Sequence, residues 1–198
     1  MVDFYGDPNT RSRIREFAGL CDGVQFSSPF LAEKYADLNL VRRVFMNQSW
    51  ESPVVPERRP SPLARLGWTA SVGHLEDARE LAELLQTVFD QNPALRRPIH
   101  LMMDDELVRC FREAGLEVVR APTGDFAAYL AFIGGIDLGL AHLMDSDFAQ
   151  GRSDGKYLEY AARGVVALCK NGGTFRHTIR HGDNGFLYEN AQDLATIL

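Results

Sequence analysis

Lys156 and Glu159, three residues apart and followed by an apolar run and a glycine pair at Gly172-Gly173, are the residues whose types and spacing fit a definite chemistry. Residues 153–188 read as a helix, a buried strand, a glycine turn, a short helix and a second strand. Positions i and i+3 of a helix share a face, so Lys156 and Glu159 project together, with Ser153 or Asp154 expected at the cap. A helix start and a glycine turn both present unpaired backbone N–H groups, and the helix start adds the positive end of its dipole. A phosphate suits the amides and Lys156. A ribose hydroxyl suits a carboxylate one turn on. Together they point to a nucleoside diphosphate. The plainer reading is a surface ion pair worth roughly 0.2–0.5 kcal/mol. Two observations favour a site: the pair follows a polar stretch without periodicity (145–152), and lysine is scarce, 3 against 18 arginines.

Two further turns could face the same ligand. Gly67–Asp77 follows a strand and opens a long helix; there Gly73 permits close backbone approach, with Ser71 or His74 at the cap. It lacks the G-x-G-x-x-G spacing of a standard dinucleotide site. The turn Asn171-Gly172-Gly173-Thr174 could offer N–H groups to a β-phosphate, or be an ordinary strand exit. His142 and Asp145, and Arg120, Pro122 and Thr123, follow two other strands, at the edge where parallel sheets bind ligands. His177 and His181 have no carboxylate or cysteine at ligand spacing, so no metal site is expected. Ser27-Ser28 lacks a nucleophile-elbow motif and suits a helix cap. No residue stands out as a catalytic acid, base or nucleophile.

The ordered set Lys156, Glu159, Ala161-Ala162, Gly164, Val165-Val166-Ala167, Gly173 and His181-Gly182-Asp183-Asn184-Gly185 resembles the donor-binding half of GT-B glycosyltransferases. The likeness is to the large retaining family called group 1 (family 4-like). That resemblance implies a nucleoside-diphosphate sugar as donor and a sugar, lipid or protein as acceptor. It implies no cofactor and no bound metal. It also implies donor contacts at Gly73, His74, Ser153, Lys156, Glu159, Gly172, Gly173 and Thr174. The pattern departs from many retaining members at one point. Their first glutamate, eight positions before the second, would fall on Gly151, which leaves that acid's sugar contact unassigned. Two other readings stay open: a non-catalytic nucleotide or sugar-phosphate binding module, and a GT-B-like sugar-nucleotide epimerase recruiting His74, Glu76 and Asp77.

Composition agrees with a globular protein: 45% apolar and 24% charged residues over 198 positions. A net charge of −6 does not favour a nucleic-acid partner. The doublets Arg42-Arg43, Arg58-Arg59 and Arg96-Arg97 read as solvated surface. Cys21, Cys110 and Cys169 form neither a metal motif nor a disulfide framework, which suits a reducing cytoplasm; Cys169 reads as a small buried hydrophobe. No apolar run spans a bilayer, and peripheral membrane contact stays open.

The elements that must position these residues alternate. Helices are expected over 10–20 (capped by Thr10 or Ser12), 29–36, 74–90, 104–114 and 126–133, and from Asn190 or Gln192 onward. Strands are expected over 23–27, 40–46, 66–70, 99–103, 116–120 and 136–140. Phe4, Phe17, Phe26 and Phe30 read as core of the first segment. Pro53, Pro56, Pro60 and Pro62 exclude helix and internal strand between 51 and 64, which reads as a linker. Repeated βα units with short apolar strands imply an α/β fold, a Rossmann-like parallel sheet with helices on both faces over 65–198. Residues 1–50 are expected to be a partial, acceptor-side βα segment of a preceding domain, and both ends read as cut.

Overall fold

The computed structural model describes residues 8–48 and 63–198. Most of the proline-rich segment therefore lies outside the described residues, as does Phe4. In the first part, α1 (Pro8–Leu20) leads to β1 (Val24–Phe26), α2 (Pro29–Lys34) and β2 (Arg42–Val44). The strands β1 and β2 pair in parallel with Val24 opposite Arg42. Ser28 caps α2, accepting from Leu31 N at 3.2 Å. Because α1 starts at Pro8, Thr10 and Ser12 lie inside it and neither is its cap. Phe26 is buried, whereas Phe17 is 71% exposed. Phe17 lines an open apolar cavity with Phe26 and Ile14 rather than filling a core.

The second part runs β3 (Leu66–Thr69), α3 (Leu75–Gln91), β4 (Ile99–Met102), α4 (Asp105–Glu113), β5 (Val118–Arg120), α5 (Phe126–Gly134) and β6 (Leu138–Ala141). It continues with α6 (Asp147–Gln150), α7 (Gly155–Ala161), β7 (Val166–Lys170), α8 (Phe175–Thr178), β8 (Phe186–Tyr188) and α9 (Ala191–Ile197). The segment read as irregular from 145 to 152 thus contains a helical turn, too short to show a period. The sheet is six-stranded and parallel throughout, ordered β5-β4-β3-β6-β7-β8.

Successive side chains on a strand point to opposite faces, and the two faces carry separate cores. Leu66, Trp68, Ile99, Leu101, Leu140 and Leu168 pack with Leu81, Leu85, Val88 and Phe89 of α3 and with Leu107 and Phe111 of α4. On the other face Ala141, Ala167 and Cys169 meet Ile133 and Tyr160. Gly139 lets Tyr160 lie directly on the sheet: a Cβ there would stand 2.6 Å from the ring. The Tyr160 hydroxyl donates to Leu140 O at 2.8 Å. Burial pushes the Cys169 thiol up to about 12, consistent with an inert core residue.

At the amino edge, Arg65 donates to Asp137 from Nε at 2.9 Å and from its backbone N at 2.8 Å, holding β3 beside β6. Arg97 corrects the surface reading of its doublet. It is 7% exposed and donates to the carbonyls of Leu95, Ala64 and Leu198.

Candidate functional site

The connections reverse direction between β3 and β6, so their carboxyl ends bound the crevice where open parallel sheets take ligands. Two loops meet there, 70–74 before α3 and 142–146 after β6. Asp77, in the first turn of α3, ties them together. Its Oδ1 accepts from Met144 N at 2.8 Å, and its Oδ2 is 2.7 Å from His74 Nδ1. His74 Nε2 is 2.7 Å from Arg152 Nη2. A guanidinium only donates, so Nε2 offers the lone pair and Nδ1 carries the proton given to Asp77. The Trp68 ring stands edge-on to the imidazole, centroids 6.3 Å apart.

Lys156 and Glu159 occupy the first turns of α7, as their spacing implied, but they are not a bare ion pair. Lys156 Nζ stands 3.5 Å from Glu159 Oε2. It donates to the Tyr129 hydroxyl at 2.8 Å and lies 5.0 Å from that ring's centroid. The same hydroxyl donates to Glu159 Oε2 in a short contact. Burial pushes the Lys156 ammonium below its ordinary range; the Glu159 carboxylate opposes this and the Arg152 charge adds to it. Burial, then the hydrogen bond to Glu159, pushes the Tyr129 phenol up, so it stays protonated and donates.

Arg152 thus links the two halves of the site, bonded to His74 and close enough to act on Lys156. The Thr174 hydroxyl donates to Arg152 O. Gly173 adopts φ +50°, and a Cβ there would stand 2.7 Å from Ala149 O. Gly172 has open space around the corresponding position. Gly73 sits in the 3-10 turn Val72–His74, exposed and without positive φ.

Asp154 occupies the cap position of α7, yet its carboxylate accepts from Asn47 Nδ2 at 3.2 Å and Thr178 Oγ1 at 3.1 Å instead. Ser153 is exposed, its Oγ accepting from Gly155 N at 3.4 Å. The contact from Asn47 brings the first part of the chain to this edge. A cavity of about 370 Å³ lies between them, with Ser28, Phe30 and Met46 on one side and Asp145, Gln150, Gly173, Thr174, Arg176 and His177 on the other. Lys156 and Glu159 are not among the residues lining it.

Other sequence candidates fall elsewhere. His142 is 1% exposed, so it cannot line a donor loop. Its Nδ1 is 2.9 Å from the Tyr188 hydroxyl, and Nε2 is 3.5 Å from Glu80 Oε1. Glu80 in turn takes Lys170 at 3.0 Å. Burial holds the His142 imidazole down to about 4, although Glu80 pulls the other way. Arg120 pairs with Asp105. The His181–Gly185 segment is a turn, with Gly182 N on Gly185 O at 2.9 Å and Arg180 N on Asn184 Oδ1 at 2.7 Å. Among the described residues no group of three or more His, Cys, Asp or Glu could hold a metal ion, and no helix is long and apolar enough to cross a membrane.

Tyr129 and Arg152 escaped the sequence reading. Helix α5, FAAYLAFIG, is apolar all round, so its pattern names no face. Asp125 caps it through Ala128 N, so the helix starts at Phe126 as expected and Phe126 and Tyr129 share one stripe, but that spacing does not name their partner on α7.

No protein-family model and no curated protein sequence matches the chain. Solved structures do. A TarM variant of S. aureus, in complex with fondaparinux, α-GlcNAc-glycerol and UDP, superposes with a TM-score of 0.67 at 14% identity, over 95% of this chain and 38% of that one. HepE of Anabaena, in complex with UDP and glucose, gives 0.64 at 15% identity, over 96% and 56%. Sucrose-phosphate synthase from Thermosynechococcus elongatus gives 0.63 at 17% identity, over 96% and 51%. The chain spans between about two fifths and just over half of these proteins. At such identities the likeness is one of fold, and the fold is that of the GT-B glycosyltransferases, with the six-stranded part in the place of their C-terminal, Rossmann-like domain.

Proposed function

We propose that this chain supplies the donor side of a glycosyltransferase. It binds a nucleoside-diphosphate sugar at the carboxyl edge of β3, β6 and β7, and the sugar passes to a sugar, lipid or protein acceptor. Residues 65–198 form the donor domain, 1–50 belong to the acceptor side, and 51–64 link them. The carrying observation is the pairing of Lys156 with Glu159 on α7, with Arg152 close enough for its charge to act on Lys156. TarM and HepE, which share the fold, were solved with UDP; that supports a nucleoside diphosphate here.

As the bond from the sugar C1 to the diphosphate breaks, negative charge gathers on the leaving oxygen. Fixed cations and N–H groups aimed at that charge stabilise the transition state more than the ground state. Lys156 and Arg152 supply the cations, and the turn Gly172-Gly173-Thr174 supplies amides. Glu159 takes the ribose hydroxyls. The charge is met by side chains, so the proposal needs no divalent ion or cofactor. Three free thiols, Cys21, Cys110 and Cys169, suit the reducing cytoplasm as its compartment. The His74–Asp77 pair would favour an epimerase-like reading, but Nε2 is already taken as an acceptor by Arg152. That leaves it no proton to give.

Calorimetric titration with UDP, GDP, ADP and TDP tests the reading. One nucleotide is expected to bind, and Lys156→Ala is expected to weaken it by roughly 1–3 kcal/mol, the range of a charge-assisted hydrogen bond. Glu159→Ala should weaken nucleotides yet spare pyrophosphate. Unchanged binding in Lys156→Ala refutes the phosphate role.

A further inference from the structure

The Tyr129 hydroxyl serves two charged groups through one oxygen. It accepts from Lys156 Nζ at 2.8 Å and donates to Glu159 Oε2. Lys156 and Glu159 themselves stand 3.5 Å apart, beyond a good hydrogen bond. Two such side chains at i and i+3 on one helix would otherwise close on each other, each cancelling the charge the other should show a ligand. The ring has a second neighbour: Phe126 stacks on it at 6.1 Å with 20° between planes, while the ammonium stands at its hydroxyl end, 5.0 Å from the centroid. Glu159 Oε1 makes no hydrogen bond among the described residues, and the Glu159 side chain is 39% exposed. The ammonium has three protons, of which Tyr129 takes one.

We propose that Tyr129 is a positioning residue for the nucleotide. It keeps Lys156 and Glu159 apart, so that the ammonium meets a phosphate while the carboxylate meets both hydroxyls of a ribose. The site is thereby set for ribonucleoside diphosphates against deoxy ones. This rests on the nucleoside-diphosphate reading above.

The experiment measures ADP, GDP and UDP by calorimetry, each against its 2′,3′-dideoxy analogue. Wild type prefers the ribonucleotide. Tyr129→Phe keeps the ring contacts and removes only the oxygen; it is expected to melt like wild type and to lose about tenfold of that preference. In a Glu159→Ala background Tyr129→Phe should cost nothing more, because the two residues act as a unit. Should the phenylalanine variant melt early, Tyr129→Met repeats the measurement with an adaptable apolar filler. A purely structural role would lower the melting temperature and leave the preference unchanged. A Lys156-dependent ribonucleotide preference that survives loss of the hydroxyl overturns this inference alone. A wild-type chain that binds no nucleoside diphosphate overturns the underlying reading with it.

Discussion

Acidification should destabilise this protein through one buried imidazole. His142 is 1% exposed, its Nδ1 2.9 Å from the Tyr188 hydroxyl and its Nε2 facing Glu80, which Lys170 already occupies. Burial lowers its pKa from 6.5 to about 4. The unfolded chain therefore binds the proton more readily than the folded one. The contribution of this group is full above pH 6.5 and is lost progressively as the pH falls from 6.5 through 4. Linkage gives roughly 2 kcal/mol of that loss by pH 5 and about 3 kcal/mol at the bottom of the window. Carboxylates titrate over part of the same range, so the informative quantity is a difference. Urea unfolding of wild type and His142→Asn at pH 7, 6 and 5 provides it, with asparagine offering a polar atom to Tyr188 but no titration. Wild type should lose about 2 kcal/mol more than the variant between pH 7 and pH 5. Parallel stability curves would mean that the imidazole gains its proton without cost, by shifting onto Glu80 or into water.

Three glycine substitutions should separate packing from backbone geometry. Gly139→Ala would place a Cβ 2.6 Å from the Tyr160 ring, and overpacking a buried site typically costs about 1–3 kcal/mol, read as a lowered urea midpoint. Gly173→Ala meets both an unfavourable φ of +50° and Ala149 O at 2.7 Å, whereas Gly172→Ala enters open space. The first should lose roughly 1–2 kcal/mol or more from the left-handed backbone alone, and the second should melt within experimental error of wild type.

The elements were legible wherever a period survives. Leu81, Leu84, Leu85 and Val88 recur at helical spacing within the helix expected over 74–90, which is α3, and short apolar runs mark the strands to within a residue or two. Lys156 and Glu159 were legible because helix spacing alone puts them together. What local pattern could not supply was the partner. Arg152 and His74 are 78 residues apart, and they meet only because β3 lies beside β6. Nothing in the residues near Tyr129 shows that its hydroxyl reaches α7. Arg97 read as surface because its charge is visible in the sequence and the three carbonyls that receive it are not. His142 misled for the converse reason: a strand end at the right edge of a sheet predicts exposure, but Tyr188 and α3 close over it.

Tyr160 resting on Gly139 has a meaning beyond the core. Consecutive helix residues are separated by about 100°, so the inward ring and the outward Glu159 are two readings of one rotational setting. With its hydroxyl latched to Leu140 O, the ring works as an index pin in a slot cut by the missing side chain. Helix α7 cannot roll without lifting that pin, and Lys156 and Glu159 therefore keep one bearing whether or not a ligand is there to hold them.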